Sequence, residues 1–291
     1  MMRNTKADAL LEALPYFQQF RGCTVVVKYG GAAMENPELV EDVLRDIVFL
    51  EAVGINPVVV HGGGKAITAA MKQENMTARF IDGMRVTDQD SIRIIDHVLN
   101  DVIGPSLAAK IEELGGRARV LSGKKVLVAE KLVPKTDAKG ARIDLGFIGE
   151  ITSVHVAPVQ KLIDEEIVPI ISPLGAGLDG HAYNINADIA AAKIAQALKA
   201  QKIIYLSDVN GVRRDPRDEN SLISTLTPDQ IRQLKEEGVI EGGMIPKVDS
   251  ALEALASGVG KVHFLDGKQP HALLLELFTD AGIGTQIAPS K

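Results

Sequence analysis

Short, largely apolar runs alternate along the chain with longer segments in which apolar residues recur at helical spacing. Residues 23–28 form the first such run, which predicts a strand buried on both faces. A helix is expected over about 37–53, with Asn36 as its N-cap and Pro37 in its first turn. A strand at 57–61 and a helix after three glycines repeat the pattern. This βαβα order predicts a three-layer α/β sandwich with a central, mostly parallel sheet flanked by helices.

The rest of the chain continues the alternation after a stretch of shorter β-rich pieces. A helix is expected to begin at Thr87 or Asp88 and to run to about residue 113. Further strands are expected at 117–121, 125–133, 142–152, 168–172, 202–206, 260–265 and 285–287. Further helices are expected at 158–166, 187–199, 228–237, 246–257 and 270–281.

Two segments suggest how the chain is divided. Residues 1–20 carry apolar side chains at helical spacing and predict an amphipathic helix, which Pro15 should kink. Such a helix needs an apolar surface to cover, on its own body or on a partner subunit. A glycine-dense stretch at 173–180 is a candidate hinge, although a tight hairpin within one sheet would show the same composition. The expected division is the terminal helix at 1–20, one lobe at 21–177 and another at 178–291.

Composition and charge exclude several classes of function. The 291 residues include 32 basic and 38 acidic side chains, for a formal net charge of −6. Because no dense basic stripe occurs, a nucleic acid partner is not expected. Cys23 is the single cysteine, so no intrachain disulfide can form, which fits a reducing compartment. No apolar run reaches the length of a membrane span and no secretory signal is visible, so we expect a cytoplasmic protein.

Two lysines lie beside glycine-rich turns. Lys28 stands near the end of the first strand, just before Gly30 and Gly31, where exposed backbone N–H groups beside an ammonium suit a phosphate. Lys247 stands near the start of a helix, where a cation opposes the helix dipole unless an anion lies there too. Two such places suggest phosphoryl transfer.

A third glycine turn, at 62–64, follows the second strand and opens a helix. Its N–H groups should point out of the carboxyl edge of the sheet, where parallel sheets bind ligands. A glycine run can equally serve close packing alone, but the second turn at 30–31 favours an anion site. The GxGxxG spacing at 175–180 is not a dinucleotide site, because residues 181–185 alternate like a strand.

Other nucleotide and metal motifs are absent from the sequence. The lysine after the triple glycine, Lys65, precedes Ala66, so no GxxxxGK[ST] occurs. The histidines show no metal-ligand spacing, and no metal held by protein side chains alone is expected.

Several polar residues near predicted helix starts and strand ends could contact a substrate. Arg85 could grip a carboxylate with two parallel hydrogen bonds, although a surface ion pair is the commoner use. Asn184 could both donate to and accept from a substrate amide. With Asn186 as a helix cap, Asp188 lies in the first turn, where it could hold two lysines or merely compensate the dipole. The turn at 207–211 could line a nucleotide pocket or be an ordinary Asn-Gly turn.

Six blocks of the sequence together resemble the acetylglutamate kinases of the amino-acid kinase family. The blocks are KYGG at 28–31, HGGG at 61–64, GMRVT at 83–87, NINAD at 184–188, LSDV at 206–209 and GMIPKV at 243–248. Single blocks recur in aspartate, glutamate 5- and carbamate kinases, but the ordered set is specific and spans nearly the whole chain.

The resemblance implies ATP-dependent phosphorylation of the side-chain carboxylate of N-acetyl-L-glutamate, a step of arginine biosynthesis, with Mg²⁺ carried largely by the nucleotide. It implies that Lys28 and Lys247 stabilise the transferring phosphoryl group and that Asp188 positions them. The other implied contacts are Gly63, Gly64 and Asn184 to acetylglutamate, Arg85 to its α-carboxylate, Gly30 and Gly31 to the phosphates, and Ser207, Asp208 and Gly211 around ATP.

Residues 1–20 and the region 263–285 resemble the arginine-inhibited branch of the family. This implies that the terminal helix joins dimers into a ring-shaped homo-hexamer, a trimer of dimers, and that L-arginine binds beside it. Glu276 is the implied partner of the arginine guanidinium, with Lys202, His263 and Gly284 nearby, although Glu276 could equally be a solvated helix residue. Some relatives bind a PII-type signalling protein, but no residue establishes this partner here.

Two alternatives stay open. One is a kinase that acts on another amino-acid carboxylate or on carbamate. The other is an arginine-responsive binding protein without catalysis, which the joint presence of Lys28, Asp188 and Lys247 disfavours.

Overall fold

The computed structural model describes residues 5–290 except 82, 134, 137–141, 216 and 281, so residues 1–4 of the expected terminal helix lie outside the described part. Its α-helices are α1 (Thr5–Phe20), α2 (Pro37–Ala52), α3 (Gly64–Gln73), α4 (Gln89–His97), α5 (Gly104–Glu113), α6 (Ala157–Asp164), α7 (Ala187–Ala197), α8 (Pro228–Glu236), α9 (Met244–Ala256) and α10 (Ala272–Leu277). Its strands are β1 (Thr24–Tyr29), β2 (Asn56–His61), β3 (Phe80–Ile81), β4 (Met84–Arg85), β5 (Ala118–Leu121), β6 (Leu127–Lys131), β7 (Lys135–Thr136), β8 (Arg142–Ile143), β9 (Gly149–Val154), β10 (Val168–Ile171), β11 (Leu174–Ala176), β12 (Ala182–Asn184), β13 (Lys202–Ser207), β14 (Thr225–Leu226), β15 (Lys261–Asp266) and β16 (Thr285–Ile287).

Eight of these strands form the central sheet, in the order β14, β16, β15, β13, β1, β2, β10, β5. Neighbouring strands run parallel except β15 and β16, which are antiparallel. In the middle, β1 pairs with β2 from Thr24 opposite Asn56 to Tyr29 opposite His61. The carboxyl ends of β1, β2 and β13 therefore meet at one edge of the sheet.

Both faces of the sheet are covered by helices. Along β1, Val26 packs into one core, while Val25 and Val27 pack into the other. The first core is completed by α6, α7, α8 and α9, and the second by α2, α5 and α10. Each fully buried Val, Leu or Ile side chain contributes about 1.5–3 kcal/mol. The predicted three-layer α/β sandwich is confirmed.

A second, four-stranded sheet has the order β12, β11, β6, β9. The glycine-dense stretch forms the hairpin between β11 and β12, with Gly175 opposite Tyr183. A hairpin is thus present, but in the second sheet rather than the central one, and a hinge at this place stays a prediction. Gly180 leads into β12 and not into a helix, so the strand predicted from the alternation at 181–185 is confirmed.

The helix expected from 87 or 88 to 113 is interrupted by a π-helical turn, Val98–Ile103. Its start is as predicted, because the Asp88 side chain accepts a hydrogen bond from the Ser91 N–H at 2.8 Å. The interruption follows from Pro105, which has no N–H to donate within the helix. The Gly104 N–H donates to the Leu99 carbonyl, five residues back, which is the π pattern.

Helix α10 is shorter than the expected 270–281. The carboxylate of Glu276 accepts hydrogen bonds from the N–H groups of Ile283 at 2.8 Å and Gly284 at 3.1 Å. These bonds draw the chain back toward the helix immediately after it ends. The sequence also did not predict the hairpin of β3 and β4 or the 3₁₀ turn Gly31–Met34.

Candidate active site

Two lysines from distant parts of the chain meet at one carboxylate. The Lys28 ammonium on β1 lies 2.9 Å from Asp188 Oδ1, an ion pair without the angles of a hydrogen bond. The Lys247 ammonium, near the start of α9, donates to Asp188 Oδ2 at 3.4 Å. The three side chains are 12%, 23% and 21% exposed for Lys28, Lys247 and Asp188 respectively.

The charge of Asp188 is stabilised by these partners. Burial alone would raise the pKa of Asp188, but the ammonium groups of Lys28 and Lys247 outweigh burial and hold the pKa below its ordinary value. Two positive groups therefore share one negative group, and the cluster as a whole is positive. Such a cluster suits an incoming anion.

Helix α7 holds Asp188 firmly. Asn186 caps this helix, since its side-chain oxygen accepts hydrogen bonds from the N–H groups of Asp188 at 2.8 Å and Ile189 at 3.3 Å. The helix packs closely on the sheet through Ala190, Ala191 and other small, buried residues. The predicted cap is confirmed, and Asp188 lies in the first turn.

The glycine turns after β1 and β2 lie side by side next to Lys28. A side chain at Gly30 would place its Cβ 3.3 Å from Lys28 Nζ and 3.6 Å from Gly62 Cα. Gly31 has φ +69°, and a Cβ there would lie 2.7 Å from Asp208 Oδ1. Gly31 therefore has a backbone conformation that favours glycine, and a side chain at Gly30 would press on the Lys28 ammonium.

A cavity of about 710 Å³ opens beside this cluster, and Ala187 and Pro246, the residues before Asp188 and Lys247, line it. Its polar lining includes the sequence-predicted Gly63, Gly64, Arg85 and Asn184. Its apolar lining includes Ile67, Phe80, Met84, Leu99, Leu132 and Ile148. The predicted substrate-binding residues are thus gathered around one space.

Arg85 lines this cavity and is only 6% exposed. Its Nη2 donates to the Gly64 carbonyl at 2.9 Å and to Thr68 Oγ1 at 2.8 Å, and its Nη1 lies 3.3 Å from Met71 Sδ. The guanidinium carbon lies 4.6 Å from the centre of the Phe80 ring. Burial lowers the pKa of Arg85. None of the ion pairs between described residues involves Arg85, so its positive charge has no carboxylate partner within that part of the chain.

Asn184 ends β12 at the same cavity. Its side-chain NH₂ donates to Thr87 Oγ1 at 3.3 Å, and its backbone N–H donates to the Phe147 carbonyl at 2.8 Å. Neither of these two bonds uses the side-chain oxygen of Asn184. That oxygen can therefore accept a hydrogen bond from an amide N–H of a ligand.

The residues predicted around ATP lie at the carboxyl end of β13. The Ser207 hydroxyl donates to the Val209 carbonyl at 3.1 Å, and Asp208 lies against Gly31. Gly211 has φ +138°, and a Cβ there would lie 2.2 Å from Thr285 Oγ1. These residues do not line the cavity that contains Arg85. Asp208 adjoins the glycine turn at 30–31 instead, and Gly211 lies against Thr285.

The residues predicted around arginine form a separate, buried cluster at the amino end of β13. Lys202 Nζ lies 3.2 Å from His263 Nε2, and His263 Nδ1 lies 2.6 Å from Glu276 Oε1. Gly284 donates its N–H to Glu276, as described above. Burial lowers the pKa of Lys202 to about 8. Lys202 thus lies at the amino ends of the strands, and the catalytic candidates lie at their carboxyl ends.

Helix α1 covers this second cluster with its carboxyl-terminal part. The Phe20 ring lies 4.9 Å from Lys202 Nζ, and the Phe17 ring packs edge-on against Phe278 at 5.0 Å. Nearer its start, Leu10 and Leu11 are 63% and 65% exposed. The carboxyl-terminal part of the helix therefore packs against the same chain, while the apolar side chains Leu10 and Leu11 remain exposed.

Two contacts of the candidate substrate site did not emerge from the sequence. Thr68 and Phe80 both contact Arg85. Thr68 follows Gly64 by one helical turn, so the spacing could have suggested a side chain facing the same turn. Phe80 lies on the unpredicted β3 strand, and no sequence pattern pointed to it.

No group of three or more His, Cys, Asp or Glu side chains in the described ranges could hold a metal ion. No helix among the described residues is both long and apolar enough to cross a membrane.

Comparison with known proteins identifies the family. The sequence model of the amino acid kinase family matches residues 24–266. An acetylglutamate kinase of Heliobacterium modesticaldum is 46% identical over 287 residues, covering 97% of this chain and 97% of that protein. An acetylglutamate kinase of Desulfitobacterium hafniense is 47% identical over 285 residues, covering 96% of each.

Solved structures agree with this placement. An N-acetylglutamate synthase of Neisseria gonorrhoeae, crystallised with coenzyme A and N-acetyl-glutamate, superposes with a TM-score of 0.83 at 28% identity over 98% of this chain. The chain spans 64% of that synthase. A second structure of the synthase, with coenzyme A and L-arginine, gives a TM-score of 0.78. The two curated relatives named above are acetylglutamate kinases, and this chain belongs to the amino acid kinase family.

Proposed function

We propose that this protein transfers the γ-phosphoryl group of ATP to the side-chain carboxylate of N-acetyl-L-glutamate, giving N-acetyl-L-glutamyl 5-phosphate for arginine biosynthesis. The observation that carries the proposal is the meeting of Lys28 and Lys247 on Asp188, next to two glycine turns and a cavity whose Arg85 has no carboxylate partner among the described residues. The name shared by the curated relatives supports the choice of substrate.

The chemistry matches this set of groups. A glutamate side-chain carboxylate has an ordinary pKa near 4.3 and is already ionised at neutral pH, so no general base is needed to activate it. The protein has to align two anions and neutralise charge on the transferring group. In our proposal Lys28 and Lys247 provide the neutralising charge, and Asp188 acts as a positioning residue that fixes both.

The two substrates enter from different sides of the cluster. Acetylglutamate would lie in the cavity, with its α-carboxylate on Arg85 and its amide near Asn184. Its reacting side-chain carboxylate would contact the backbone of Gly63 and Gly64. ATP would lie along Ser207, Asp208 and Gly211, with its phosphates on the backbone of Gly30 and Gly31. Their meeting point is beside Lys28.

Mg²⁺ fits this site as a companion of the nucleotide. Asp188 is already shared by two ammonium groups, and the described residues offer no cluster of carboxylates for a metal. The phosphate oxygens of ATP would therefore supply most of its ligands, and Asp208, whose carboxylate lies beside Gly31, could supply a further oxygen. When bound, Mg²⁺ adds charge neutralisation at the β- and γ-phosphates.

The direct test is a hydroxylamine trapping assay, which converts an acyl phosphate into a coloured hydroxamate. The purified protein with MgATP is expected to form the hydroxamate from N-acetyl-L-glutamate and to form far less from L-glutamate, L-aspartate or carbamate. Product from one of those three acids in preference would assign a different kinase activity. Absence of product from all four would support a binding protein without catalysis.

We also propose that L-arginine inhibits the enzyme at the cluster of Lys202, His263, Glu276 and Gly284. The support is a buried carboxylate beside the terminal helix, together with the likeness to the synthase crystallised with L-arginine. The exposed leucines of α1 support a homo-hexamer built through this helix. The single free thiol of Cys23 supports a cytoplasmic location. Inhibition by arginine is expected to disappear in Glu276→Gln while uninhibited turnover remains.

A further inference from the structure

The hydroxyl group of Thr68 lies beside Arg85 and binds both Arg85 and the Gly64 carbonyl. Thr68 Oγ1 donates to the Gly64 carbonyl at 2.8 Å and accepts from Arg85 Nη2 at 2.8 Å. Arg85 Nη2 also donates to the same Gly64 carbonyl at 2.9 Å. The three groups form a closed triangle on the first turn of α3.

The hydrogen-bonding capacity of each group fixes the direction of this triangle. A threonine hydroxyl has one proton, and here that proton goes to the Gly64 carbonyl. The hydroxyl can therefore only accept from Arg85, which has protons but no lone pair to offer. Thr68 thus presents oxygen, and never hydrogen, to the guanidinium.

The other neighbours of Arg85 constrain the orientation of its guanidinium less than Thr68 and Gly64 do. Met71 Sδ at 3.3 Å is a weak acceptor, and the Phe80 ring at 4.6 Å attracts the cation without defining which N–H groups point where. Two-pronged binding of a carboxylate requires both outer N–H groups of the guanidinium to lie in one plane with it. Of these neighbours, only the oxygens of Gly64 and Thr68 are strong acceptors. Both bind Nη2, so they fix the position of the nitrogen that a two-pronged grip requires.

We propose that Thr68 is a positioning residue that turns the Arg85 guanidinium toward the α-carboxylate of the substrate. The inference rests on the proposed function, since it presumes an acidic substrate held by Arg85. It also ties the carboxylate clamp to Gly64, so the α-carboxylate and the reacting end of the substrate are held by one rigid turn.

The test compares Thr68→Val, which keeps the shape, with Thr68→Ser, which keeps the hydroxyl. For N-acetyl-L-glutamate, Thr68→Val is expected to raise KM by about tenfold, as for the loss of a hydrogen bond to a charged group, and to change kcat by less than about threefold. Thr68→Ser should keep KM within about threefold of the parent protein. The KM for ATP should be unchanged in both.

A substrate without the α-carboxylate separates positioning from folding. With 4-acetamidobutanoate, the parent protein and Thr68→Val should have the same kcat/KM, because Arg85 has no carboxylate to bind. Equal losses with both substrates, or an equal loss in Thr68→Ser, would overturn the inference. Thr68→Ala, which removes atoms without adding any, replaces Thr68→Val if the latter does not fold. Failure of the parent protein to phosphorylate N-acetyl-L-glutamate would instead overturn the proposed function.

Discussion

Asp188→Asn is the substitution that most directly tests the shared carboxylate. An asparagine amide has nearly the shape of an aspartate carboxylate. The substitution therefore removes a negative charge and keeps the packing at the start of α7. Lys28 at 2.9 Å and Lys247 at 3.4 Å then face a neutral group, and they repel each other across it. We expect both ammonium groups to turn away from the position of the transferring phosphoryl group.

The size of the effect can be worked from these two distances. At an effective dielectric constant of about 20, Coulomb's law gives about 6 kcal/mol for the pair at 2.9 Å and about 5 kcal/mol for the pair at 3.4 Å. Water, which reaches side chains that are 12–23% exposed, replaces part of this attraction after the substitution. Misplacing a charge donor in a transition state costs about 3–4 kcal/mol, so we expect kcat to fall by roughly 10²- to 10³-fold.

The hydroxamate assay under saturating substrates gives kcat, and titration of each substrate gives its KM. Because the cluster becomes more positive, the KM for ATP should stay equal or fall, while kcat falls steeply. Asp229→Asn is the matched control, because Asp229 also lies in the first turn of a helix, α8, and forms an exposed ion pair with Arg232. This control should keep kcat within about twofold.

A value of kcat in Asp188→Asn within about fivefold of the parent protein would refute the role given to Asp188. A rise in the KM for ATP in proportion to the fall in kcat would also refute it, because that pattern belongs to a residue that binds nucleotide in the ground state. Circular dichroism has to show a folded protein in either case.

Three further predictions concern stability and assembly. Gly63→Ala is expected to lower the free energy of unfolding by about 1–3 kcal/mol, because its Cβ would lie 2.7 Å from a leucine methyl, whereas Gly64→Ala, which meets nothing within 4 Å, should be neutral in urea titration. Burial lowers the pKa of His61 to about 4, so the unfolded chain binds a proton between pH 6.5 and 4 that the folded chain does not. Stability is therefore lost on acidification across this window, by up to about 3 kcal/mol, and His61→Asn should remove that loss while the exposed His155→Asn does not. Deleting residues 1–20 should reduce the mass in light scattering and abolish inhibition by arginine, and unchanged mass with unchanged inhibition would contradict both proposals.

Much of the fold could be predicted because its elements are encoded locally. The buried strands β1, β2, β10, β13 and β15 are short apolar runs, and the helices between them carry caps such as Asn36 and Asn186 that bind their own first turns. Such signals depend only on neighbours within a few residues, so the sequence alone was enough to establish alternation and a parallel sheet.

The remaining differences arise from features that the apolar periodicity does not show. The end of α10 depends on Glu276 binding two N–H groups beyond the helix, and the π turn depends on a proline within an otherwise regular helical pattern. Thr68 was missed because its significance lies in Arg85, seventeen residues away. A single sequence shows which residues could bind charge, but not which of them share a partner.

Strand β13 connects the two charged clusters of the molecule. It begins with Lys202, in the proposed arginine site, and ends with Ser207, in the proposed ATP site. At about 3.3 Å per residue the two ends are roughly 17 Å apart. All six residues are buried, and the strand is paired with β1 on one side and β15 on the other, so it resists local stretching.

A ligand at the Lys202 end can therefore affect the other end only by moving the strand with its neighbours as one body. Since Lys28 lies on β1, such a movement would carry it together with β13. Asp188 would move with them, because α7 packs closely on both strands, whereas Lys247 lies on α9, which packs on α7 and β15. If arginine inhibits as proposed, the distance between Lys247 and the Lys28–Asp188 pair is the quantity that its binding would change.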